Sequence, residues 1–314
     1  MVLENRWLRE TYVDLLIEYA KQDNRLVIVE ADLMKAAGTT RFGETFPERT
    51  VNCGVQEANM IGVAAGMSAM GKIPFTHTFT PFSTRRVCDQ VTLSVAYAGL
   101  NVKIMGSDPG VTAELNGGTH MSMEDVAIMR NIPGMIIYEP VDSAQLKKAF
   151  PQILEHYGPV YIRLLRRNAV QIFDDNTEFK LGKGIVLKEG RDVTILASGI
   201  MVAEALKAAE KLSAKGIDAE IINIHTIKPL DEELVLQSAR KTGAVVTAEN
   251  HSVLNGLGGA VAEFLGENYP VPVQRVGVKD TFGEVGFTDF LKEKYGLTEK
   301  EIVQAAEKAI DMKR

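Results

Sequence analysis

Cys53-Gly54-Val55-Gln56-Glu57-Ala58-Asn59-Met60-Ile61-Gly62-Val63-Ala64-Ala65-Gly66-Met67 carries one charged side chain, Glu57, followed almost wholly by small or apolar residues. That composition predicts a buried helix over 56–70, slim enough for another backbone to approach closely, as at a subunit contact. Upstream lies a β-branched run, Leu26-Val27-Ile28-Val29, ending at Glu30-Ala31-Asp32. Downstream, apolar runs at 102–105, 135–138 and 160–164 alternate with helical patterns at 82–98, 123–130 and 142–155, the last with Asp142 or Ser143 as N-cap. Leu8, Tyr12, Leu15, Leu16 and Tyr19 form one face of an opening amphipathic helix. Apolar strands separated by helices predict a mostly parallel sheet covered on both faces. The polar, turn-rich stretch 168–183 interrupts this pattern. Strand patterns resume at 193–197, 219–224, 244–247 and 273–278, with helices near 231–240, 257–267 and 297–312. The expectation is α/β with two domains, 1–170 and 191–314, joined by a linker at 171–190.

The chain has 314 residues, 46% hydrophobic and 24% charged, with two cysteines. It is long enough to bury cores without disulfide staples, and its composition excludes disordered, collagenous and disulfide-framework classes. Net charge is −6, split evenly between residues 1–175 and 176–314. No basic face suggests nucleic acid or anionic lipid, and the longest uncharged apolar stretch is too short for a bilayer span. The first residues lack the basic-then-apolar order of a signal peptide, so a reducing, cytoplasmic compartment is expected.

Four elements carry candidate chemistry. Glu57, at the mouth of an apolar helix, would be poorly solvated, with its proton held toward neutrality; as plainly, it complements the helix N-terminus. Phe79 and Phe82, in Phe75-Thr76-His77-Thr78-Phe79-Thr80-Pro81-Phe82, could flank a flat ring at a loop or pack in the core. Glu114-Leu115-Asn116-Gly117-Gly118-Thr119-His120 follows a strand, where open α/β sheets bind ligands, so His120 is either a proton shuttle or an exposed turn residue. Arg163-Leu164-Leu165-Arg166-Arg167-Asn168 offers guanidinium groups suited to an anion, or a solvated basic edge.

In this order, the elements resemble the C-terminal half of transketolase. Gly54-Val55-Gln56-Glu57-Ala58-Asn59-Met60 is similar to the family's G-[VI]-x-E-x-x-M segment, and Thr78-Phe79-Thr80-Pro81-Phe82 with Ser83-Thr84-Arg85 and Asp89-Gln90-Val91 to its T-F-x-x-F…T-R…D-Q run. Asn116-Gly117-Gly118-Thr119-His120 resembles its D-G-P-T-H loop, and Arg166-Arg167-Asn168 its S-R-Q-N turn. Ala248-Glu249-Asn250-His251 and Gly277-Val278-Lys279-Asp280-Thr281-Phe282-Gly283 look like its C-terminal domain, so the resemblance covers nearly the whole chain. It implies a pyrimidine-binding domain, then a smaller C-terminal domain, and a two-carbon ketol transfer between phosphorylated sugars through thiamine diphosphate, as in the pentose phosphate pathway. Glu57 would hydrogen-bond the cofactor's aminopyrimidine, with Phe79 and Phe82 flanking that ring and Asp32 as a further cofactor contact. His120 would exchange protons with substrate, Asn116 would contact it, and Arg166 and Arg6 (in Asn5-Arg6-Trp7-Leu8, similar to the family's T-R-K-L start) would clamp the sugar phosphate. Two departures bear on substrate: Asn116 stands where the family has aspartate, and an upstream family histidine aligns with Ser107.

The family's metal-binding segment, G-D-G followed by an asparagine, is missing, as no G-D-G occurs in the 314 residues. The expectation is no metal site on this chain. An N-terminal transketolase subunit would hold the diphosphate and a Mg2+ or Ca2+ ion, assembling as an α2β2 heterotetramer. The competing identities are the β subunit of a 2-oxo-acid dehydrogenase, a 1-deoxyxylulose-phosphate synthase-like enzyme and a non-catalytic assembly or regulatory subunit.

Overall fold

A computed structural model describes residues 1–313. The strands in chain order are β1 (Leu3–Trp7), β2 (Leu26–Glu30), β3 (Thr50–Asn52), β4 (Ile73–Phe79), β5 (Lys103–Ser107), β6 (Ile136–Tyr138), β7 (Val160–Leu164), β8 (Asn168–Val170), β9 (Ile185–Lys188), β10 (Val193–Ala197), β11 (Ala219–Asn223), β12 (Thr226–Lys228), β13 (Val245–Ser252) and β14 (Val273–Val278). A seven-stranded sheet runs β12-β6-β7-β5-β4-β2-β3, parallel except where β12 joins β6. A five-stranded sheet runs β14-β13-β10-β11-β9, parallel except for β9, and β1 pairs antiparallel with β8. The two-domain α/β expectation holds.

Each face of the larger sheet is covered, as apolar strands require. Tyr12 and Leu16 of the Leu8–Gln22 helix and Phe150 of the Ser143–Glu155 helix pack on Ile28, Phe75 and Ile162. On the other face, Met60 and Ile61 of the Glu57–Ala69 helix join Val29 and Ile104, and this core continues into Leu196, Ile222 and Val261 of the second domain. The domains thus share apolar packing, and β12 belongs by sequence to the second domain but by pairing to the first sheet.

Several expectations are corrected. The 75–82 stretch is not a loop: β4 is central and buried at all seven positions, its strand character masked by Pro74 and by the polar Thr76, His77 and Thr78. The single helix at 82–98 is instead a string of short turns, with Thr84 at φ −126°, ψ −82° breaking it and a π-helical stretch at Val91–Tyr97. The linker at 171–190 contains β9, and its Phe173 and Phe179 pack edge to face at 4.8 Å in the second core. Two aromatic anchors therefore order a segment whose polar composition suggested a tether. The helix expected near 297–312 is present as Glu299–Asp311, capped by Thr298 and Glu301, and a helix that was not expected, Thr288–Tyr295, precedes it. Asp142 caps the Ser143–Glu155 helix through the Gln145 N–H, as its spacing predicts. Among the described residues, no helix is long and apolar enough to cross a membrane.

Candidate active site

The candidate residues gather beyond the carboxyl ends of the parallel strands, where chain direction leaves a crevice. Asp32 follows β2, Phe79 ends β4, Arg166 follows β7, and Glu57 opens the Glu57–Ala69 helix after β3. Phe79, Phe82 and His120 form a cluster of edge-to-face rings, with centroids 6.3 Å apart for the two phenylalanines and 5.8 and 5.1 Å from them to the histidine. Thr119 Oγ1 lies 2.9 Å from His120 Nδ1, which leaves Nε2 for a ligand. The second domain supports this loop: a Cβ on Gly118 would fall 2.2 Å from the Gly283 carbonyl oxygen, so only glycine fits. Asn116 is exposed at the start of the turn.

Glu57 is buried as expected, but it is not alone in an apolar niche. Arg86 Nη1 donates to its Oε1 at 2.7 Å, and the same guanidinium lies 3.7 Å over the Phe82 ring. The break at Thr84 brings Arg86 back over Phe82, which a continuous helix would not predict. A flat group with N–H donors thus already satisfies both surfaces that an aminopyrimidine would need, a carboxylate acceptor and an aromatic face. The residues present therefore fit thiamine diphosphate on its pyrimidine side. Asp32 is exposed at φ 61°, and its N–H donates to Asn52 Oδ1, which also accepts from Gly54 N–H at the approach to Glu57. Among the described residues, no three His, Cys, Asp or Glu side chains converge as a metal site.

Arg166 extends this wall. Its Nε is 3.0 Å from Asp108 Oδ2 and its guanidinium is 5.9 Å from the Phe79 ring. The structure does not bring Arg6 here: Arg6 pairs on the outer surface with Asp14 at 2.5 Å and Glu10 at 3.6 Å. Arg9 lies nearer: its main-chain N–H donates to the Arg166 carbonyl at 3.4 Å, and its guanidinium, which rests over the Trp7 ring at 4.4 Å and donates from Nη1 to the Ala36 carbonyl, is close enough to feel the charges of Arg166 and Asp108. Burial, then the charge of Arg166, lowers the Arg9 pKa. The available signal was a basic residue in the first turn of a helix, opposed to the macrodipole and so a departure from local preference.

Asp108 was also missed, and Arg163 has surroundings that its sequence context did not suggest. Asp108 is 1% exposed at φ 56°, and burial pushes its carboxyl up to about 6 despite Arg166, Arg167 and Arg9. Arg163 is not on a solvated basic edge: it donates from Nε and Nη2 to Asp125, from Nη1 to Glu139 and from Nη2 to the Asn250 carbonyl. Asn250 in turn accepts from Val111 N–H at 3.0 Å and donates to the Pro109 carbonyl at 2.9 Å, fixing the loop that leads to His120. Nearby, Glu249 caps the Leu257–Asn268 helix through the Leu257 and Gly258 N–H groups. The second domain thus buttresses the loops of the first.

Comparison with known proteins agrees with this architecture. Residues 6–171 match the family model for the transketolase pyrimidine-binding domain, and residues 182–302 match that for the transketolase C-terminal domain. The 6-deoxy-6-sulfo-D-fructose transketolase subunit SqwH of Clostridium sp. (strain MSTE9) is 71% identical, over 99% of this chain and 97% of that protein. One of the subunits of the apulose-4-phosphate transketolase of Phocaeicola vulgatus is 36% identical, over 95% of this chain and 96% of that one. A solved structure described as a split gene transketolase, inactive beta4 tetramer, superposes with a TM-score of 0.90 at 46% identity, covering 98% of this chain and 99% of that one.

Proposed function

This chain belongs to the transketolase family, and on that premise we propose that it is the pyrimidine-side subunit of a two-subunit ketol transferase acting on a sulfonated ketose. A companion chain would supply the diphosphate side with its divalent metal. The observation that carries this reading is the side-chain cluster in which Arg86 joins Glu57 to Phe82, Phe79 and His120 pack beside it, and Arg166 reaches Phe79. The 71% identity to a sulfofructose transketolase subunit supports the substrate class, and the relative described as an inactive beta4 tetramer supports the need for a companion.

Thiamine diphosphate, when bound, supplies the electron sink that lets a carbon–carbon bond beside a carbonyl break. This chain's residues orient it and the substrate. Glu57 Oε1 is aimed across the Phe82 face, so a ring N–H there would take over the hydrogen bond now made by Arg86. Phe79 and Phe82 exclude water from that ring. His120 Nε2, with Nδ1 occupied by Thr119, moves a proton to and from a substrate hydroxyl. Arg166 and Arg9 hold the anionic end of the sugar.

The test is reconstitution. The chain alone should give no turnover, and adding a subunit that contains the missing diphosphate segment should release a four-carbon sulfonated aldose from 6-deoxy-6-sulfofructose in the presence of an aldose phosphate acceptor. Turnover by the chain alone, or none by the complex, overturns the proposal.

A further inference from the structure

We propose that Asp108 biases the site against a doubly charged anionic end: it neutralises Arg166 from behind, so that the arginine pair presents about one net positive charge and the advantage of a doubly charged tail over a singly charged one is reduced. The choice of sulfonate as the natural monoanion rests on the substrate reading above; the charge selection does not.

Asp108 lies directly after β5, one of the strand ends that form the crevice. Its carboxylate is inaccessible to a ligand, yet sits 3.0 Å from the Nε edge of Arg166, a side chain that keeps 18% exposure. Asp108 therefore acts through Arg166 and does not touch substrate. Arg167 does not change the balance, because its Nη2 is 2.8 Å from Glu114 Oε2. Glu10, which also acts on Arg9, is offset by Arg6 at 3.6 Å, so the remaining charges are Arg9 and Arg166 against Asp108. With its carboxyl pushed up to about 6, Asp108 is ionised in neutral buffer. Apart from Arg166, which approaches through its Nε and its main chain, neither carboxylate oxygen has a hydrogen-bond partner. A buried acid with so few partners is costly as structure alone, which points to a functional reason for keeping it.

A sulfonate carries one negative charge at neutral pH, whereas a phosphate monoester carries about −1.5 to −2. A tail held by the outer nitrogens of Arg166 lies about 6–8 Å from Asp108. At an effective dielectric of about 20, one additional unit of charge at that range is enough to shift relative binding about tenfold or more. Repulsion from Asp108 thus falls mainly on the phosphate.

The decisive variant is Asp108→Asn, which keeps size and accepts the φ of 56°; Asp108→Gly, equally compatible with that backbone, is the second. The two-subunit complex is assayed with 6-deoxy-6-sulfofructose and fructose 6-phosphate as donors. Propanesulfonate and propyl phosphate are measured alongside as unreactive tails competing with whichever donor is turned over. Both variants should cut the sulfonate-over-phosphate preference about tenfold, with the change in KM and inhibition constants and kcat little altered. Equal effects on both tails would overturn the proposal, because a merely structural Asp108 loosens the site without regard to charge. If the complex uses only the phosphate donor, the substrate reading fails, while the pair of unreactive tails still decides the role of Asp108.

Discussion

Replacing Arg163 with methionine removes a cation that links β7 to the Asp125–Arg130 helix, to Glu139 just after β6 and to β13. Four hydrogen bonds are lost: two to Asp125 at 2.7 and 3.2 Å, one to Glu139 at 2.6 Å and one to the Asn250 carbonyl at 2.6 Å. Asp125 keeps only the Tyr161 hydroxyl at 2.8 Å, in a site with no solvent exposure. Breaking a buried ion pair costs about 3–5 kcal/mol, and an orphaned carbonyl about 1–3 more. Methionine refills part of the space, so the expected loss is about 4–6 kcal/mol, a large share of the ~5–15 kcal/mol that holds a typical fold together. Urea unfolding followed by circular dichroism measures it. The pH dependence has a definite sign. Burial alone would raise the Asp125 pKa, but the charge and hydrogen bonds of Arg163 hold it below the usual carboxylate range. In the native protein its ionised form therefore stabilises the fold, and this is lost only as pH falls below that range. In the variant the burial remains without the cation, so the deficit should shrink between pH 7.5 and 5 as the native state takes up a proton. A loss under about 1 kcal/mol, or a deficit that grows on acidification, would refute the account.

Glu57→Gln, almost isosteric but unable to ionise, should reduce turnover of the two-subunit complex by about 10²-fold or more at unchanged assembly; turnover within threefold of wild type would remove Glu57 from the chemistry. His120→Ala should lose ~10²–10⁴ in kcat, and a loss below threefold would return His120 to the role of a turn residue. His225 is fully buried, and burial lowers its pKa from 6.5 to about 4. The unfolded chain therefore binds the proton first, so stability should fall by about 3 kcal/mol from pH 6.5 to 4 and level off below. In His225→Phe that slope should lose close to one proton, and an unchanged slope would contradict the assignment.

Much of the site was legible because its residues are tied to local features. Glu57 opens a helix of small residues, Asn116 to His120 bracket a glycine pair, and Arg166 follows a strand of plain apolar pattern. Chain direction then carries all three to one crevice. Arg6 illustrates the limit: only two residues separate it from Arg9, and the pairing of β1 with β8 and the start of the Leu8–Gln22 helix bring the Arg9 main chain against Arg166 and turn Arg6 toward Asp14. β4 was hidden for a different reason. Its buried His77 finds partners across the fold, with the Tyr12 hydroxyl 3.0 Å from Nε2 and Glu30 Oε1 3.0 Å from Nδ1, and no periodicity within seven residues reports that.

The amino-acid order by itself determined the two α/β domains, the helix that begins at Glu57 and the loops that end the parallel strands. Each of these depends on side-chain spacing along a single element, a matter of hydrophobic period and backbone preference. The tertiary structure alone decided the pairing of charges. Arg86 on Glu57, Asp108 behind Arg166, and Arg163 among Asp125, Glu139 and Asn250 join residues up to 87 positions apart. Whether a carboxylate or guanidinium is a solvated surface group or a poised one depends on which opposite charge shares its low-dielectric surroundings, and that neighbour is fixed only when the sheets close over it.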